Sequence, residues 1–231
     1  MFAAEAESNE RKENNMNILT KTMQTVKDYE SAMQTARKEF ENTKEQIFAT
    51  YSNTVAAEKL GDARDAMTAF EMKESVSASD VVKADFAEAR DAVFEFVSKS
   101  VPEDFPATLS IVQVKGAKIS DFEAASFLKK YEGNYTAYSA ILDILNRNGK
   151  AGSVYVMTPD KLNDDIAVIE KRVLNWIQNR TSGDFDSEYY SRLFTADSGN
   201  PIRALAIKIE SFISGGFILD NSHNIAVFEM D

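Results

Sequence analysis

Cysteine is absent from this sequence and histidine occurs once. Disulfide scaffolds, thiolate zinc sites, cysteine–histidine catalysis and multi-histidine metal centres are thereby excluded. A serine–histidine–aspartate triad would have to draw on His223, in a C-terminal stretch with nothing nearby in sequence to orient it. Glycine (9) and proline (4) are sparse among 231 residues, so few positions force a turn. No apolar run reaches the length of a membrane span. The start, Met1-Phe2-Ala3-Ala4-Glu5-Ala6-Glu7, lacks the basic and apolar regions of a secretory signal. The expected location is therefore the cytoplasm, or a particle assembled there, with no membrane contact. Met16 is a second candidate start.

Basic residues are also short: 26 Lys and Arg face 37 Asp and Glu, a net charge of −11. Such a surface repels nucleic-acid phosphates, so no direct nucleic-acid binding is expected. The imbalance is uneven. Residues 61–106 carry 11 acids against 5 bases, whereas 107–150 carry 4 against 6. What the chain does hold is an ordinary share of apolar residues, 44%, enough for one domain or one domain with an extended arm.

Residues 1–16 are polar and acidic and read as a flexible arm. Beyond them, Leu19, Val26, Met33, Phe40 and Ile47 recur at seven-residue intervals, with Met23, Tyr29, Ala36 and Tyr51 as weaker second positions. No proline or glycine interrupts 17–60, so the spacing predicts one continuous, coiled-coil-like helix ending at Gly61. Its narrow apolar seam needs a partner, either a later helix of the same chain or a second chain. The stretch from Ser75 to Asp80 reads as a turn, followed by a helix to about residue 100. Pro102 and Pro106 mark the boundary between this helical rod or hairpin, 17–100, and a C-terminal helical domain, 107–231.

Within that second domain, 108–114 reads as a strand or a short helix. Ser120, Asn134, Thr158-Pro159 and Asn200-Pro201 each open a helix, and 217–228 reads as a small β-hairpin. The fold class is mainly α: a long N-terminal helix plus a compact helical bundle with a short β-hairpin tail.

Motifs that carry chemistry are few. No glycine-rich phosphate loop is present. Ser126 and Lys129 have the spacing of one class of serine nucleophile but no companion motif. Asp184, Asp186 and Glu188 alternate as in a cation loop, without its glycine or terminal glutamate. Glu71 and Glu74, followed by Glu88 and Asp91, set two acidic pairs at i,i+3. This pattern resembles the carboxylates of the all-α, MazG-like nucleotide pyrophosphohydrolases. The resemblance implies a Mg²⁺ site formed by those four residues on two antiparallel helices. Lys129, Lys130, Tyr131, Tyr135 and Tyr138 form a basic and aromatic cluster suited to a partner-binding patch.

The residues favour a non-enzymatic helical interaction or assembly protein, without cofactor, of the kind found among viral (phage) structural components. Its partners would be proteins, through self-association or a larger assembly. A Mg²⁺-dependent pyrophosphohydrolase is the alternative. An acidic inhibitor of a nucleic-acid-binding protein is a further one.

Overall fold

The computed structural model of the protein describes residues 18–150, 155–179, 185–216 and 218–219. The flexible arm expected at 1–16, the Asp184 position and His223 lie outside them, as does 220–231. The protein is mainly α, with eight α-helices among the described residues. They are α1 (Thr20–Thr50), α2 (Asn53–Val97), α3 (Phe105–Lys115), α4 (Asp121–Lys130), α5 (Tyr135–Arg147), α6 (Pro159–Asn179), α7 (Phe185–Thr195) and α8 (Pro201–Ile213). Two short strands, β1 (Tyr155–Val156) and β2 (Ile218–Leu219), pair antiparallel, with Tyr155 opposite Leu219. The tail strand thus pairs with 155–156; the 225–228 arm of the expected hairpin lies outside the described residues. No helix among the described residues is long and apolar enough to cross a membrane.

Two expectations for the N-terminal half are corrected. The helix expected over 17–60 breaks at Tyr51–Ser52, where Tyr51 is extended (φ −116°, ψ 154°). Thr50-Tyr51-Ser52-Asn53-Thr54 is an unbroken run of weak helix formers, enough to end a helix without glycine or proline. The second correction is α2 itself. It runs 45 residues, about 68 Å, straight through Gly61 and through the expected turn at Ser75 to Asp80. Ala78 and Ser79 are buried there, so packing holds Ser79 helical against its preference for turns. The strand-or-helix ambiguity at 108–114 resolves as helix, α3, opened by Pro106 in its first turn.

The described residues fall into two compact units, one drawn from 18–88 and 166–206, the other from 89–165 and 207–219. The boundary falls inside α2, α6 and α8.

In the first unit α1 and α2 form an antiparallel hairpin. Leu19 precedes α1 in a left-handed conformation (φ 59°) and offers no capping oxygen. Asp85 of α2 does so instead: its Oδ2 accepts from Thr22 N–H (2.7 Å) and Thr22 Oγ1 (2.8 Å), both groups being buried. Thr22, Val26, Tyr29 and Met33 line the buried stripe of α1. Tyr29 donates its hydroxyl to the Ile177 carbonyl of α6 (2.9 Å) and meets Trp176 edge-on, 5.6 Å between rings. Trp176 in turn meets Phe194 of α7 at 5.8 Å. Asn200 then spans the α7–α8 connection: its amide donates to the Phe194 carbonyl (2.6 Å) and its Oδ1 accepts from Ile202 N–H (2.9 Å), capping α8.

The second unit is built on another aromatic set. Phe212 lies 5.4 Å from Phe96 and 5.6 Å from Tyr135, ring to ring. Phe105 meets Tyr131 edge-on at 5.4 Å, and the Tyr131 hydroxyl donates to Thr108 Oγ1 (2.9 Å). Each such edge-on pair adds about 0.5–1.5 kcal/mol beyond area burial. Local sequence supplies the helix starts. Ser120 and Glu123 make a reciprocal capping box on α4, and Asn134 Oδ1 accepts from Ala137 N–H to cap α5. Thr158 Oγ1 accepts from Lys161 N–H (3.3 Å) at α6. Pro102 to Asp104 are exposed while Phe105 is buried, and the chain on both sides of them belongs to this unit. Among the described residues, no buried side-chain nitrogen or oxygen lacks a hydrogen-bond partner.

Candidate functional site

Beyond Met33 the burial of the hairpin changes character. Between Gln34 and Ser77, only Ile47 and Ala56 are buried. Both flank the Tyr51–Ser52 connection. Close to the same connection, large apolar side chains face solvent: Phe48 is 57% exposed, Tyr51 45% and Val55 39%. Farther along α2, Phe70, Met72 and Val76 are exposed as well.

Midway along the hairpin the two helices leave an open groove of about 750 Å³. On α1 it is floored by Ala32, Ala36 and Phe40; on α2, by Ala63, Ala66, Met67 and Phe70. These positions follow the three- and four-residue steps of one helix face. Ser31, Thr35 and Thr43 add hydroxyls to its rim. The charged residues lining it are Asp28 and Glu39, both acidic. Asp28 Oδ1 accepts from the Gln24 amide (2.8 Å). Elsewhere on the hairpin two acids pair closely with lysine: Glu41 with Lys44 at 2.8 Å, and Glu88 with Lys21 at 2.6 Å. The Glu88 hydrogen bond raises the Lys21 pKa above its ordinary value.

The heptad positions separate into two groups. Leu19, Val26, Met33 and Ile47 are buried, whereas Phe40 is half-buried and lines the groove.

The four carboxylates of the metal reading are not brought together. Glu71, Glu74, Glu88 and Asp91 all stand on α2, so the two antiparallel helices that the pattern requires are a single helix. Glu74 and Glu88 are about 21 Å apart along its axis. Among the described residues, no group of three or more His, Asp or Glu could hold a metal ion.

The basic and aromatic cluster also divides. Tyr131 and Tyr138 are buried and Tyr135 is half-buried, so the rings face the core of the second unit. Burial, with the nearby Glu132 carboxylate, raises the Tyr138 hydroxyl pKa; burial and Asp160 raise that of Tyr135. Lys129 and Lys130 are exposed, and Lys130 forms an ion pair with Asp104 that holds the Asp104 carboxyl below the usual range. What remains at this surface is charge without the aromatic faces.

No protein-family model, curated protein or solved structure matches this chain.

Sequence reasoning missed the groove and the exposed far end. The signal for the groove was alanine at helical spacing on both sides of the connection, Ala32 and Ala36 before it, Ala63 and Ala66 after it. Phe48 and Tyr51, three residues apart beside Ser52 and Asn53, were the signal for the far end.

Proposed function

We propose that the protein is a non-enzymatic association protein whose distal hairpin is the docking element. The observation that supports this most directly is the stretch from Gln34 to Ser77. It has two buried residues, yet presents Phe48, Tyr51, Val55, Phe70 and Met72 to water. Ordering a residue's backbone costs about 1–2 kcal/mol, and a hairpin covered on one side only recovers little of that through burial. Large apolar side chains held in water among charged ones are what protein-binding sites offer. The apolar residues around the Tyr51–Ser52 connection suit self-association, since Phe48 and Tyr51 from two copies would bury each other's rings.

Native mass measured across a concentration series tests the reading. The expected result is a concentration-dependent assembly that Phe48→Ser with Tyr51→Ser returns to monomer, with helicity unchanged. A protein that stays monomeric at all concentrations and retains no partner would sink it. Mg²⁺-dependent pyrophosphate release from nucleoside triphosphates is the parallel assay; activity lost in Glu71→Gln with Glu74→Gln would favour the pyrophosphohydrolase instead.

A further inference from the structure

We infer that the groove between α1 and α2 receives an amphipathic helix with basic flanks, supplied by a different protein. This rests on the association reading and specifies the chemistry of one partner. The length fits a helix: from Asp28 to Thr43 the groove follows α1 for about 22 Å, roughly four turns. The floor fits one too. Ala32, Ala36, Ala63 and Ala66 leave room for close approach of a third helix, and Phe40 and Phe70 supply apolar walls.

Charge decides what kind of helix. Asp28 and Glu39 are the charged lining residues, and neither is in an ion pair among the described residues. Residues 28–76 carry ten acids against six bases. An occupant with lysine or arginine beside its apolar face would neutralise that rim. A second copy would bring the same acidic hairpin, so its groove would face like charge. Nucleic acid and anionic lipid are disfavoured for the same reason.

The test uses the full chain and a labelled peptide of about 15 residues, with leucine at helical spacing and lysine elsewhere. A peptide of the same pattern with glutamate in place of lysine is the control. Binding is followed by fluorescence anisotropy, and the site is mapped by amide chemical shifts. The lysine peptide is expected to bind, with shifts concentrated in 28–43 and 63–70. The glutamate peptide should bind about tenfold more weakly or worse. Asp28→Lys with Glu39→Lys should weaken the lysine peptide by a similar factor, and Asp28→Asn with Glu39→Gln by less. Circular dichroism of these variants should be unchanged, since both positions are exposed. Absence of binding, shifts mapped to Phe48 and Tyr51 alone, equal binding of both peptides, or a dimer that the charge reversal abolishes would each overturn the inference. The self-association assay on Phe48 and Tyr51 reads a different surface, so a negative peptide result would leave self-association through those two residues intact.

Discussion

Asp85 caps a helix from 63 positions away, and that single carboxylate oxygen holds two donors of Thr22 in a buried site. Removing it leaves a buried backbone N–H and a hydroxyl without their acceptor. An unsatisfied buried group costs about 1–3 kcal/mol, so Asp85→Ala should lower the unfolding free energy by at least that much in a denaturant titration. Thr22→Val removes only the hydroxyl and should cost less. Glu123 poses a different test. The Lys115 ammonium, followed by the Ser120 N–H and hydroxyl, holds its carboxyl at about 2, below its ordinary value of 4.5. Its folded pKa is depressed, so its contribution is fully present above 4.5 and is lost as the pH falls through about 2. Nuclear magnetic resonance titration should place Glu123 near the bottom of the carboxylate range. In Glu123→Gln, that part of the acid dependence should disappear.

At the scale of elements, α2 makes the plainest prediction. Gly61 lies inside it, and beyond the helix's own backbone nothing comes within 4 Å of where a β-carbon would stand. Glycine in a helix interior costs roughly 0.5–1 kcal/mol relative to alanine, so Gly61→Ala should stabilise the protein by about that amount in thermal unfolding. The same glycine shows where sequence reading stops. Gly61 is a reasonable helix end by local rule, but strong helix formers flank it, Ala56-Ala57-Glu58-Lys59-Leu60 before and Ala63, Arg64, Ala66 and Met67 after, and the helix runs on through it. Tyr51 and Ser52 carried the true end, but a run of weak helix formers is a softer signal than one glycine. Capping was far more legible. Ser120, Asn134, Thr158 and Asn200 each open the helix they were expected to open, because a side-chain oxygen and an N–H two or three residues on need no distant partner. The heptad stripe through Leu19, Val26 and Met33 was legible for the same local reason. The groove was not. Alanine favours helix at any position, so the spacing of Ala32, Ala36, Ala63 and Ala66 is a weak signal that gains meaning only once the hairpin brings both sets to one groove. The acidic pairs failed in the converse way, since their spacing was real but the turn needed to make them face was helix.

For the molecule as a whole, the uneven burial of α1 and α2 implies uneven stability. Local opening is easiest where few apolar contacts hold the backbone, so amides in 34–77 should exchange with deuterium well before those in 166–177. Protection spread equally over both would contradict the picture of a thinly held distal hairpin. An added partner that occupies the groove should slow exchange there first. The units themselves are interleaved in sequence, the first taking its residues from both 18–88 and 166–206. That arrangement sets an order of events during synthesis. Tyr29 leaves the ribosome long before Ile177 and Trp176, the groups that receive its hydroxyl and its ring. At about 5–20 residues per second, the nascent hairpin waits on the order of ten seconds with its apolar stripe uncovered. A chain stalled before residue 166 should therefore hold Val26, Tyr29 and Met33 open to chaperones, and release from them should coincide with the emergence of α6.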